Sequence, residues 1–534
     1  MAGRLAIDFG TSNTVVAVWD EALGEGVPLL VPDYGRVFEH DGSRVPVVPS
    51  LIHYSDDRRQ LVGQQVHAQG VSEAATTFRW MKRYIACRSP VWVRCGVEKV
   101  THFDAGRDFL SAVMTFAAIE AGGEDEEIAL TLPVEGFEHY QEWLAQAAAA
   151  AGMPRFRTID EASAAALGYG AHIQPGNVYV VFDFGGGTLD VAVVLITDEE
   201  ESAGGRRCRV LGKAGVELGG ATIDGWIFQD VLARSGRGDA DDDVRQLSRA
   251  LLAECERAKE TLSTANHAEI GVVHPHTGAT IGAELTRAHF EQLLDDHDAL
   301  ARIDKTIRRA MAAARERGYD EDAVSAVLMV GGSSLIPAVQ TTLRRIFGRE
   351  RVLIGRPLDA VARGAAAFVA GVDFYDHIQH DYAIRWLNRE RGEHEYRLCV
   401  ARGTPYPNDA PMDDAEWLTI KASHDGQTHL GIAMFELGEA RDRAGGNARV
   451  ELVQDPSGAW RLSTPSADVE EDRSRFWINE HTPTFLEADP PATAGERRFR
   501  LKFGIDGNKR LLITALDLRT GKTTHRDYPV VKLT

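Results

Sequence analysis

Two segments far apart in this chain repeat one local design. Leu5-Ala-Ile-Asp8-Phe-Gly10-Thr11-Ser12-Asn13 runs on into Thr14–Trp19, and Val181-Phe-Asp183-Phe-Gly185-Gly186-Gly187-Thr188 runs on into Leu189–Ile196. Each is an apolar strand, a tight Asp-Phe-Gly turn with hydroxyl residues, and a second apolar strand. Glycines let a backbone approach closely and turn its N–H groups toward an anion, and Thr and Ser hydroxyls add donors. An Asp at the end of each strand faces a phosphate comfortably only if a divalent cation lies between them. Two such turns, one per half, suit a triphosphate and Mg2+ gripped from both sides. A single Gly-rich turn is a weak signal, and neither segment matches a P-loop or a GxGxxG fingerprint. The matched pair is the telling part.

A third segment, Val327-Leu-Met-Val-Gly331-Gly332-Ser333-Ser334, runs from a strand into a helix at Ala338–Ile346. The amino terminus of that helix faces whatever lies above the Gly-Gly pair. Gly-Gly-Ser-Ser-Leu lacks the GxSxG elbow, so Ser334 is not read as a hydrolase nucleophile.

Short apolar runs at Leu5–Asp8, Ile128–Leu132, Val178–Phe182 and Val324–Val330 predict buried strands. Val244, Leu247, Leu251, Cys255, Ala258 and Leu262 recur at spacings of three and four, which predicts one apolar helix face. Leu358, Val361, Ala362, Ala365, Phe368 and Val369 predict another. Residues 1–370 therefore read as α/β. Farther on, Glu416–Ala422, His429–Glu436, Arg449–Val453, Phe499–Gly504 and Leu511–Leu516 read as strands. Turn chemistry at Thr404–Asp409 and Asp506–Asn508 separates them. The expected division is residues 1–372, a linker at 373–384, and an all-β domain at 385–534. Asp198–Gly205 and Gly236–Asp243 read as loops, and residues 438–447 and 465–497 as long, partly mobile excursions.

The 534 residues carry 59 Lys plus Arg against 79 Asp plus Glu, a net charge of −20. That acidity disfavours nucleic acid and anionic membrane surfaces as partners. Five scattered cysteines without a CxxC pair argue against a disulfide framework. No apolar signal core precedes Asp8, and no run approaches the ~18 apolar residues that cross a bilayer. A cytoplasmic chain is expected. None of the 18 histidines sits in an HExxH or zinc-finger spacing.

With the three turns located, the chain resembles the 70-kDa heat-shock chaperone family, the DnaK-like proteins. Four stretches carry the likeness: Ile7–Asn13, Ile159-Asp-Glu161 through Gly170, Phe182–Asp190 and Val330–Pro337. Leu218–Gly220, Cys255–Ser263, Leu285–Phe290 and Asp359–Ala366 support it in the family's order. Gly403–Asn408, Leu418–Leu437, Phe499–Gly507 and Leu512–Lys522 are more faintly similar to the family's substrate-binding β-sandwich. The resemblance implies an α/β, actin-like two-lobed ATPase domain followed by an all-β sandwich domain. It implies ATP or ADP, Mg2+ and nearby K+ as cofactors, and a stress-response role. The implied partners are unfolded or extended polypeptides, a co-chaperone and a nucleotide-exchange factor.

By the same resemblance, Asp8 and Asp183 hold Mg2+ through its waters. Gly10, Thr11, Ser12, Asn13, Gly186, Gly187 and Thr188 hold the phosphates. Glu161, Thr188 and Asp190 serve catalysis, together with the residue in the family's lysine slot, here His67. Glu256, Lys259 and Ser263 share a helix face that holds the nucleoside, and Gly331, Gly332, Ser333, Leu335 and Asp359 complete the nucleotide set.

Three departures stand out. His67 replaces the catalytic lysine, so a weak ATPase is expected, with Arg79, Lys82 and Lys99 nearby as candidate substitutes for the lost cation. Leu335 and Glu260 stand where the family places arginines against adenine. Asp373–Asp381 lacks the family's leucine-rich linker, and the chain reaches Thr534 about where the sandwich should end, so no helical lid is expected. The leading reading is a chaperone that hydrolyses ATP to control polypeptide binding. A nucleotide-gated scaffold with little turnover follows from His67 and Leu335. A small-molecule kinase on the same fold is the third.

Overall fold

The structure is a computed structural model. It describes residues 4–533 except 41–42, 58, 122–126, 134–137, 171–173, 175, 198–206, 372–373, 376–377, 379, 389–392, 403, 405–417, 438–450, 464–474, 480–483 and 507–509. Two compact units emerge. The first contains Met1–Val134, Glu142–Tyr375 and Asn447–Pro465; the second contains Glu135–Gln141, Asp376–Gly446 and Ser466–Thr534.

The first unit has two lobes, each built on a sheet around one Asp-ended strand. In lobe I, β1 (Leu5–Asp8) pairs antiparallel with β2 (Asn13–Asp20) across the first Gly turn. Two helices matter later, the short α1 (Met81–Ala86) and the longer α2 (His102–Ala121). On its other edge β1 is parallel to β3 (Ile128–Leu132), and β3 to β4 (Phe156–Asp160). Asp160 then caps α3 (Glu161–Gly168), its carboxylate accepting the Ser163 N–H at 2.9 Å. Lobe II repeats the plan. Here β5 (Val178–Phe184) pairs antiparallel with β6 (Leu189–Thr197), which pairs antiparallel with β7 (Arg207–Val216). Helices α4 (Gly220–Arg234) and α5 (Asp242–Thr264) follow, and β8 (Val324–Val330) lies parallel to β5. The third turn leads into α6 (Pro337–Phe347), and α7 (Ala360–Val369) closes the core.

The apolar periodicities explain these elements. All six periodic residues of α5 are buried. Every residue of β5 is buried, as a strand covered on both faces requires. Helices α3 and α7 are rich in Ala and Gly, which lets their backbones nearly touch. A Cβ at Gly364 would lie 1.7 Å from the Ala164 carbonyl oxygen. This close packing fixes Glu161, the first residue of α3, relative to both sheets.

The first unit also holds a hairpin from much later in the chain, β9 (Glu451–Gln454) and β10 (Trp460–Ser463).

The second unit is a β-sandwich. One sheet orders Glu393–Val400, Asp381–Asn388, Met434–Leu437 and Arg475–Trp477; the other orders Leu418–Lys421, Arg497–Ile505, Arg510–Asp517 and Thr523–Lys532. Tyr382, Ile384, Met434, Phe499, Leu501 and Ile513 from the two sheets share one core. Arg498, fully buried, is neutralised by Asp517 at 2.8 Å. Three details differ from the sequence reading. A strand begins at Asp381, inside the stretch expected as linker. The expected excursion at 465–497 contains strands Arg475–Trp477 and Thr484–Ala492. The single strand read at His429–Glu436 is two, Gln427–Ile432 and Met434–Leu437. Most of the expected loops at Asp198–Gly205, Thr404–Asp409, Asp506–Asn508 and 438–447 lies outside the described residues.

Candidate functional site

The two Asp-Phe-Gly turns meet across a cleft of about 230 Å3. A Cβ added at Gly186 would sit 2.7 Å from Ser12 Oγ, and one at Gly187 only 2.6 Å from Thr11 Oγ1. Only bare backbone lets the lobe II turn come so close to the hydroxyls of lobe I. Each turn is held from behind. Ser50 donates to the Gly10 carbonyl at 2.8 Å, and Ser333 of the third turn donates to the Gly185 carbonyl at 2.9 Å. The Gly220 and Ala221 N–H groups, opening α4, donate to the Gly185 and Gly186 carbonyls.

Acidic side chains crowd the cleft floor. Asp8 and Asp183 line it, with Glu161 between the lobes. Asp190 lies directly opposite Asp183 in the β5–β6 register and is buried behind the lining. Burial pushes Asp8, Glu161 and Asp183 above the usual carboxylate range, Glu161 to about 8, and repulsion from neighbouring acids adds to it at Glu161 and Asp183. One cation opposes this. Lys82 of α1 is buried, lines the cleft and forms an ion pair with the Glu161 carboxylate. Thr131 donates to Asp8 at 2.7 Å.

The other end of the cleft is bounded by α5 and the third turn. Glu256, Lys259, Glu260 and Ser263 line it from α5. Lys259 meets Asp224 of α4 at 2.8 Å, and Glu256 pairs with Arg79. Burial alone would raise Glu256, but Arg79 and Lys259 outweigh it and hold it below the normal value. Leu335, Ile336, Leu358 and Val361 form an apolar wall there. Lys82 and Lys259 are the only cations among the described residues lining the cleft.

Most of the residues singled out in the sequence come together here: both strand-end aspartates, both Gly turns, Glu161, Glu256, Lys259, Ser263, Gly331, Gly332, Ser333 and Leu335. His67, Asp190 and Asp359 do not line the cleft. His67 points to Ser72, its Nδ1 2.9 Å from the hydroxyl, and burial with nearby Arg36 keeps its ring below the usual histidine pKa. Asp359 precedes α7 and is taken by Arg363 at 2.5 Å. The residue sequence reasoning underweighted is Lys82. Its signal was a lysine at the second position of a short helix, just after Trp80-Met81.

Two lobes on matching sheets, joined by mirrored phosphate turns around buried acids, define an actin-like nucleotide-binding fold. Residues 120–380 match the family model for the Hsp70 protein. The chain is 28% identical over 559 aligned residues to the chaperone protein DnaK of Deinococcus proteolyticus, covering 98% of this chain and 78% of that protein. It is 28% identical over 563 residues to the chaperone protein DnaK of Deinococcus deserti, with the same coverage. These likenesses support a divergent Hsp70/DnaK-like chain of the chaperone type that binds ATP. Among the described residues, no helix is long and apolar enough to cross a membrane.

Proposed function

We propose that the chain binds MgATP between its paired turns and hydrolyses it to ADP and phosphate, and that this cycle controls its hold on unfolded or extended polypeptides. The observation that carries the reading is the convergence of both Gly turns on a floor made of Asp8, Lys82, Glu161 and Asp183. Backbone N–H groups of residues 11–13 and 186–188, with the hydroxyls of Thr11, Ser12 and Thr188, donate to phosphate oxygens. Lys82 supplies the fixed positive charge that the resemblance would place at position 67. Glu161 receives the proton of the attacking water; its raised pKa makes it the better acceptor, and Asp190 behind it adds to the field that raises it. Positioning and electrostatics of this kind account for most of the catalysis in phosphoryl transfer.

Asp8 and Asp183 fit a divalent ion, since two buried acids with raised pKa values lack a counter-charge of their own beyond Lys82. Among the described residues, no group of three or more His, Cys, Asp or Glu is arranged to hold a metal directly. Mg2+ would therefore be held through waters and phosphate oxygens, with these two carboxylates in its outer shell. When bound, it neutralises phosphate charge as a Lewis acid. K+ is proposed beside it.

Glu256, Lys259 and Ser263 face the sugar, and the Leu335 wall faces the base. The second unit takes an extended segment by adding it as a strand. A co-chaperone, a nucleotide-exchange factor and a cytoplasmic setting belong to the same proposal. Calorimetric titration with ATP and Mg2+, followed by phosphate release with and without an unfolded peptide, tests it. Mg2+-dependent binding and slow turnover, faster with peptide, are expected. Absence of both heat and thermal shift contradicts nucleotide binding, and phosphate transfer to a sugar or acid would favour a kinase.

A further inference from the structure

The hairpin β9–β10 stands out because of where its chain comes from. It lies in sequence between two segments of the second unit, Asp376–Gly446 and Ser466–Thr534, yet it folds with the first. Its strands pair Leu452 with Leu462 and Gln454 with Trp460. Leu452 and Trp460 are 3% and 1% exposed, buried in the same core as α4 and α5.

The hairpin touches both lobes at once. On the lobe I side, the Trp460 ring lies 5.1 Å from that of Trp80 and 6.2 Å from that of Tyr84. The Tyr84 hydroxyl donates to the Leu452 carbonyl at 2.6 Å. At the hairpin bend, Gly458 has φ of 80°, and a Cβ there would be 2.3 Å from the Ala75 carbonyl oxygen. On the lobe II side, the Trp460 N–H donates to Ser248 of α5 at 3.0 Å, and the Leu462 N–H to Asp239 at 3.2 Å. Leu452 packs on Gly225 of α4. A single residue, Trp460, thus bonds one lobe through its backbone and packs its ring edge-on against the other.

These contacts sit beside the cleft. Trp80 and Tyr84 flank Lys82, Arg79 next to Trp80 pairs across to Glu256, and Ser248 lies on the helix that carries Glu256 and Lys259. A ligand held by residues 11–13 and 186–188 leaves when these lobes part, and parting them strips the hairpin from at least one. We propose that the hairpin Glu451–Ser463 is an intramolecular clasp that holds the two lobes closed, so that its undocking sets the rate of nucleotide exchange. Both of its ends continue into second-unit segments, which makes it a covalent route by which that unit acts on the cleft. The exchange part rests on the proposed nucleotide binding.

The test uses the full chain and the displacement of a fluorescent ADP by excess ATP. Trp460→Ala is expected to release it about tenfold faster, while Arg461→Ala, exposed on the same strand, keeps the wild-type rate. Tyr84→Phe removes the donor to the Leu452 carbonyl and Ser248→Ala removes the acceptor of the Trp460 N–H, each with little change of shape, and each should accelerate release if Trp460→Ala does not fold. Wild-type release rates in every folded clasp variant overturn the proposal. Failure of the wild type to bind the fluorescent ADP would sink nucleotide binding instead. The clasp is then judged by hydrogen exchange in the nucleotide-free protein, where α1 and the first half of α5 should lose protection together in Trp460→Ala. Unchanged protection there overturns it.

Discussion

Replacing Lys82 by Ala removes the ammonium that meets Glu161, and turnover should fall about 10²–10³-fold, as for loss of one preorganised charge. His67→Lys should leave steady-state turnover near wild type, since that side chain points to Ser72 rather than to the phosphate turns. The opposite pair of results would return the catalytic cation to position 67. At the base end, Leu335→Arg restores a cation to the apolar wall; a cation–π contact worth ~1 kcal/mol would tighten ATP about fivefold in a calorimetric titration. His102 gives a pH prediction away from the cleft. It is fully buried at the start of α2, its ring 4.2 Å from that of Tyr84, and burial lowers its pKa to about 3. The folded state keeps it neutral while the unfolded chain protonates near 6.5, so its contribution is present above 6.5 and is lost as pH falls toward 3. The slope is about 1.4 kcal/mol per pH unit. Thermal unfolding of His102→Phe across that window should show a shallower loss than the wild type. The two Gly turns of the cleft were legible because their strand–turn–strand design repeats. Lys82 was legible only as one of three candidate cations, with Arg79 and Lys99, because a surface lysine and a buried one look alike in sequence; only the packing of α1 aims it at Glu161.

At the scale of elements, strands and helices were legible where burial imposes a period. Leu5–Asp8, Ile128–Leu132 and Val324–Val330 form strands with those bounds, and the apolar face of α5 is buried throughout. The strand Thr484–Ala492 was hidden by Pro490 and Pro491, which read as loop chemistry. The hairpin at 451–463 was half legible: its first strand showed, but alternation specifies a face and not the core that the face joins. The closest helix contact yields a test of packing. Gly364→Ala puts a methyl where the Ala164 carbonyl already lies, and overpacking of this kind should cost at least ~2 kcal/mol. A clear drop in melting temperature is expected, and an unchanged one would mean that α3 and α7 separate more freely than their contact indicates.

At the scale of the molecule, the net charge of −20 and the acidic cleft floor oppose a polyanion. Attraction of a triphosphate must therefore be local, from backbone N–H groups, Lys82, Lys259 and a bound cation. The proposed function requires that local event to change polypeptide affinity, and the proposed clasp offers a covalent path for it. The most direct measurement is the dissociation rate of a fluorescent extended apolar peptide from the full chain with MgATP and with MgADP, repeated in Asp183→Ala. The account predicts release about tenfold faster with MgATP, with the difference lost in Asp183→Ala. Equal release rates in both nucleotides, from a wild type that binds both nucleotide and peptide, would contradict it.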